Sequence, residues 1–131
     1  MEIINPEELG RPRGYANGVI APPGGRLLFV AGQIAWDERQ QIVSADFVEQ
    51  FERALANVLA VVRAAGGGPE QVARLVVYVT DKREYQARSA DVGARWRALM
   101  GRHYPAMSLV EVKSLLEDDA QVEIEATAVL P

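Results

Sequence analysis

The sequence predicts an α+β domain, a single mixed β-sheet with two helices packed on one of its faces. Three observations predict it. Short runs of alternating apolar and polar residues lie toward both ends of the chain. Two longer stretches carry apolar residues at helical spacing behind capping signals. Clusters of glycine and proline separate several of these segments. At 131 residues the chain has room for one well-cored domain, residues 1–131, and not for two.

The elements follow in order. Residues 1–13 read as an irregular lead-in, because Asn5-Pro6-Glu7-Glu8-Leu9-Gly10-Arg11-Pro12-Arg13-Gly14 is rich in proline, glycine and charge. Residues 15–21 and 26–36 are β-prone and flank Pro22-Pro23-Gly24-Gly25, which predicts a hairpin. Asp37 to Gln40 reads as a turn, and residues 41–43 as a short third strand. Asp46 followed by Glu49 fits a capping box, in which each side chain satisfies a free backbone N–H. Phe47, Phe51, Leu55, Val58, Leu59 and Val62 then recur at helical spacing, and Gly66-Gly67-Gly68-Pro69 stops the helix. Residues 72–80 read as a buried strand. Asp81 and Glu84 repeat the capping signal before a second helix bearing Tyr85, Val92, Trp96 and Leu99, which Gly101 closes. Strands at about 106–113 and 121–130 end the chain.

Alternation assigns the faces. Ala106, Ser108, Val110 and Val112 form one set in the first of these strands, and Met107, Leu109, Glu111 and Lys113 the other. In the second strand Val122, Ile124, Ala126 and Ala128 oppose Glu123, Glu125, Thr127 and Val129. The small apolar sets suit contact with helices. Two helices cover only one side of such a sheet. The mixed side must meet water or another subunit, and its apolar members favour the subunit.

Composition narrows the function. A hydrophobic fraction of 49% beside 24% charged residues is globular, and no apolar run approaches the roughly 18 residues of a membrane span. The acidic N-terminal residues lack the basic start of a secretory signal, so a cytoplasmic location is expected. The absence of cysteine removes thiolate chemistry, disulfides and cysteine zinc sites. The single histidine, His103, excludes histidine-paired acid–base catalysis and multi-histidine metal sites, and reads as a surface or capping residue. A net charge of −4 with scattered Lys and Arg argues against a nucleic-acid partner. The Gly66–Gly68 run is a helix stop, since no Gly-Lys-Ser/Thr follows it.

Several segments resemble, in order, the reactive-intermediate deaminase (Rid, YjgF-like, L-PSP-like) family. These are Gly14-Tyr15-Ala16-Asn17-Gly18, Phe29-Val30-Ala31-Gly32-Gln33-Ile34, residues 57–65, residues 77–81, Tyr104-Pro105-Ala106-Met107-Ser108 with Val110-Glu111-Val112, and Val122-Glu123-Ile124-Glu125-Ala126. The resemblance runs from about residue 14 to the end. It implies a chorismate-mutase-like fold and a homotrimer whose sheets face inward, with small-molecule clefts between subunits. It also implies cofactor-free and metal-free hydrolysis of a small 2-imino or enamine carboxylate. In that scheme an arginine grips the carboxylate, a tyrosine shapes the pocket and a glutamate positions or activates water.

Tyr15 and Glu123 match the tyrosine and the glutamate. The position of the arginine is Met107, that of the strand serine is Ala31 beside Gly32, a frequent cysteine becomes Leu109, and a helix asparagine falls near Ser89. A charge-assisted hydrogen bond contributes roughly 1.5–3 kcal/mol, about ten- to a hundredfold in affinity. A thioether supplies neither that bond nor the fixed orientation of a guanidinium. Lys113 and Arg13 are the candidate replacement cations, although either also reads as a solvated surface charge. Met107 and Leu109 are expected to desolvate Glu123. Glu123 otherwise reads as a charge on a subunit rim, Met107 as a packing residue and Tyr15 as a cleft-lining aromatic.

Two functions follow. One is deaminase-like hydrolysis of an imine or enamine other than 2-aminoacrylate, with Glu123 catalytic and Tyr15, Ala31, Gly32, Ser89, Met107 and Leu109 lining the substrate. The other is a non-catalytic trimeric module binding a small, rather apolar metabolite. The ribonuclease activity associated with some relatives has little physical basis in an acidic chain with one histidine.

Overall fold

The computed structural model describes residues 1–131. The elements are β1 (Glu2–Ile4), β2 (Gly18–Ile20), β3 (Arg26–Gln33), α1 (Phe47–Ala64), β4 (Val72–Val79), α2 (Lys82–Ala87), α3 (Ser89–Met100), β5 (Ala106–Glu111) and β6 (Val122–Leu130). Four strands form the main sheet in the order β3-β6-β4-β5. β6 runs antiparallel to β3 and β4, and β4 runs parallel to β5, so the sheet is mixed. The helical segment after β4 returns the chain to the parallel edge, as a parallel connection requires.

α1 forms as its spacing predicts. Asp46 caps it by accepting from the Glu49 N–H at 3.0 Å. Only half of the expected box is present, because the Glu49 carboxylate instead accepts from the Ser44 hydroxyl. Phe51, Leu55, Val58, Leu59 and Val62 are buried against Leu75, Val77, Val122 and Ile124 of the sheet in one continuous core. The one buried polar side chain, Gln50, is satisfied at both ends. It donates to the carbonyls of Ser44 and Asp119 and accepts from the Gln121 N–H, which ties α1 to the approach to β6.

Several expectations are corrected. Pro22 to Gly25 turns the chain, but β2 pairs with β1 and not with β3, so the predicted hairpin is absent and the lead-in contains a strand. Residues 41–43 contribute only an isolated bridge, Trp36 to Ile42. The second helix is two helices, broken at Arg88, whose side chain bonds Asp46 at 3.1 Å and Asp91 at 3.2 Å. Ahead of it, Asp81 accepts from the Arg83 N–H and guanidinium in place of a capping box.

A further correction concerns β5, whose faces are reversed from the assignment by alternation. Met107 pairs with buried Leu75, and Leu109 with buried Val77, so both face the helices. Ser108 and Val110 face outward. Burying Met and Leu removes more apolar surface from water than burying Ala and Ser, which selects this register. Glu111 ends the strand, and its carboxylate accepts the Lys82 N–H at 2.9 Å. In β6 the expected set, Val122, Ile124, Ala126 and Ala128, is the buried one.

Candidate functional site: two clefts and an open sheet face

The sequence-predicted site residues fall into two groups on the chain. The first lies on the helix side. Ser89 of α3 and Met107 and Leu109 of β5 line one cleft of about 290 Å³, together with Tyr85, Trp96 and Tyr104. Arg13 and Arg97 also line this cleft. Trp96 and Tyr104 stack with ring centroids 5.9 Å apart, and the indole N–H donates to the His103 carbonyl at 3.2 Å. His103 is no free surface residue. Its Nε2 donates to the Val72 carbonyl at 2.6 Å, fixing the turn that leads from α3 to β5.

Tyr15 is 39% exposed and lines an adjoining cleft of about 710 Å³. Its segment is held to the start of β5, because the Ala16 N–H donates to the Pro105 carbonyl at 2.9 Å. Gly14 turns the chain there with φ +76°, a left-handed conformation that disfavours any residue with a Cβ. Arg13, Gly14 and Tyr104 line both clefts. Of the two candidate cations, Arg13 therefore stands at the cleft of Met107, and Lys113 does not line it.

The second group lies on the open side of the sheet. Glu123 alternates outward from Val122 and Ile124 and pairs across the sheet with Tyr78. Its carboxyl group rests against Gly32, where an added Cβ would stand 2.8 Å from Cδ. Gly32 and the exposed Ala31 occupy an irregularity between Val30 and Gln33 that interrupts the β3–β6 ladder. Within the chain Glu123 is therefore not desolvated by Met107 and Leu109. They face the opposite side of the sheet, and β4 lies between β5 and β6.

Residues that sequence reasoning missed complete both groups. On the open face the Tyr78 hydroxyl donates to Glu125 at 2.6 Å, and that bond to a carboxylate raises the phenol above its usual value of 10.0. Leu27 and Phe29 are 61% and 74% exposed on the same face. On the helix side, Arg97, Arg102 and Tyr104 were not singled out as lining residues. Gly101, which ends α3, was a usable signal for Arg102, because it releases the chain just before the Tyr104-Pro105 motif. No group of three or more His, Asp or Glu side chains is arranged to hold a metal ion. No helix is long and apolar enough to cross a membrane.

A mixed sheet carrying helices on one face, with a cleft beside its parallel edge and a glutamate on the uncovered face, defines a class of small α+β proteins with small-molecule clefts. The sequence model described as Endoribonuclease L-PSP matches residues 8–130, and the chain belongs to that family, which is the family of the Rid and RutC proteins. It is 36% identical to a RutC family protein of Pyrococcus horikoshii over 129 residues, covering 97% of this chain and 96% of that one. It is 35% identical to the 2-iminobutanoate/2-iminopropanoate deaminase of Salmonella typhimurium over 108 residues, 80% of each. Among solved structures, a Rid-family protein of unknown function from Yersinia pestis superposes with a TM-score of 0.86 at 35% identity, covering 98% of both chains. Escherichia coli TdcF with bound serine superposes with a TM-score of 0.71 at 28% identity, covering all of both chains.

Proposed function

We propose that this protein hydrolyses a small imine or enamine in a cleft completed between copies of the chain in a homotrimer. The observation that carries the reading is the division of the site residues. Glu123, Ala31 and Gly32 lie on the open face, while Ser89, Met107 and Leu109 lie on the helix side of the same sheet. Neither set alone offers both a carboxylate and an enclosed apolar pocket, so a complete site needs one set from each of two protomers. The exposed Leu27 and Phe29, further along the face that carries Glu123, support association through that face. The deaminases among the relatives support the chemistry.

In this reading Glu123 accepts a proton from water as the oxygen attacks the C=N carbon. That proton passes to the nitrogen to give the carbinolamine, whose hydroxyl proton then follows it through Glu123 as the C–N bond breaks, leaving a carbonyl compound and ammonia. Tyr15 borders the pocket, and Met107 and Leu109 form its apolar wall. The substrate is one other than 2-aminoacrylate, because Met107 cannot make the two-pronged carboxylate pairing of an arginine at that position. A cytoplasmic setting suits such an activity. Met107 also favours a second reading, a trimeric module that binds a small apolar metabolite without turning it over.

The test is ammonia release from freshly generated 2-iminopropanoate by wild type, Glu123→Gln and Met107→Arg. Activity gained in Met107→Arg and lost when Glu123→Gln is added supports hydrolysis with a different natural substrate, whereas wild-type activity that Glu123→Gln removes supports hydrolysis and overturns the exclusion of 2-aminoacrylate, the enamine tautomer of the test substrate. If neither protein releases ammonia and both still bind a 2-oxo acid, the binding-module reading stands instead.

A further inference from the structure

The larger cleft has a composition that the chain as a whole does not. The chain holds 18 acidic and 14 basic residues, yet this cleft is lined by Arg11, Arg13 and Arg102 and by no aspartate or glutamate. None of these guanidiniums takes part in a salt bridge; the ion pairs use Arg83, Arg88 and Arg95. Two separate segments deliver the charges. Arg11 and Arg13 come from the lead-in, which β1–β2 pairing and the Ala16–Pro105 hydrogen bond hold in place. Arg102 comes from the turn that His103 fixes to Val72. All three guanidiniums border this one cleft of about 710 Å³.

We propose that this cleft is an anion-binding subsite for a small molecule bearing two or more negative charges, as carboxylates or as a phosphoryl group. Guanidiniums pair with such groups through two parallel N–H bonds, and Tyr15 adds a hydroxyl at the same cleft. A nucleic acid fits less well. It needs a basic track longer than one cleft, and the adjoining cleft adds only Arg97 in a chain of net charge −4. Because Arg13 lines the cleft of Met107 too, the subsite supplies positive charge that residue 107 lacks. This last link rests on the hydrolytic reading above; anion binding itself does not.

The test is calorimetric titration of the full-length protein with succinate and with inorganic phosphate, using neutral succinamide and a short single-stranded oligonucleotide as comparisons. Saturable binding of succinate or phosphate is expected, and the tighter of the two identifies carboxylate or phosphoryl as the preferred group. Affinity should fall about tenfold in Arg13→Met and in Arg102→Met, stay unchanged in Lys113→Met, and weaken as salt rises. Binding that persists in Glu123→Gln keeps this result separate from any failure of the hydrolysis assay. The proposal is overturned if wild type binds neither anion, if the arginine variants bind as wild type does, or if only the oligonucleotide binds.

Discussion

The two faces of the four-stranded sheet come from the same alternating strands and have opposite surroundings. On one face Leu75, Val77, Val122 and Ile124 are fully buried under α1 and α3. On the other, Phe29, Val76, Tyr78 and Val110 stand among Arg74, Glu123 and Glu125, with no element of the chain over them. The helix face is selected by transfer of apolar surface from water, so its residues are interchangeable within limits of volume. The open face keeps a glutamate against a glycine and a tyrosine hydrogen-bonded to a carboxylate. Stability resides on the first face, and the chemistry proposed for this protein needs both.

That contrast can be broken or sharpened by substitution. Leu59→Ala, in the buried face of α1, should lower unfolding free energy by about 2–5 kcal/mol in denaturant titration. Phe29→Asp, on the open face, should leave the protomer's secondary structure intact and disrupt association, as read by sedimentation. An unchanged oligomeric state would remove the open face from the proposed interface. Gly32→Ala should reduce hydrolysis at least tenfold, equivalent to about 1.4 kcal/mol, with little change in melting temperature, because the added Cβ displaces the Glu123 carboxyl group. Equal activity would show that the position of Glu123 does not matter.

The smallest effect concerns Asp46. The Glu49 N–H and the Arg88 guanidinium hold its pKa below the ordinary value of 3.8. A lowered folded-state pKa means the unfolded chain takes up the proton first. The stabilisation is therefore complete well above pH 3.8 and is lost as pH falls through the lowered value. Asp46→Ala should melt slightly below wild type at pH 7, and the difference should shrink on acidification.

Much of the frame was legible because local and tertiary signals agree in it. α1 has a cap, a period and a glycine stop that all point to one helix, and β6 has one face too acidic to bury. β5 misled because neither of its faces is decisively polar. At the edge of the sheet the larger apolar side chains, Met107 and Leu109, win the core. The break at Arg88 carries no glycine or proline, and its ion pairs reach back to Asp46, a partner that no local pattern reveals. The pairing of β1 with β2 was hidden by their length, three residues each. Motif resemblance identified candidate site residues but not their division between two faces, because a linear motif carries no information on which side of a sheet its members emerge.

The most direct test of the two-protomer site is subunit complementation. Glu123→Gln removes the carboxylate on the open face, and Ser89→Trp fills the cleft on the helix side; each variant alone should be inactive against 2-iminopropanoate, or, if wild type needs it, when built into a Met107→Arg background. Co-expression should restore a measurable fraction of ammonia release, because some interfaces then combine an intact carboxylate from one subunit with an open cleft from its neighbour. No recovery in mixed assemblies, with each variant folded and associated, would contradict the account.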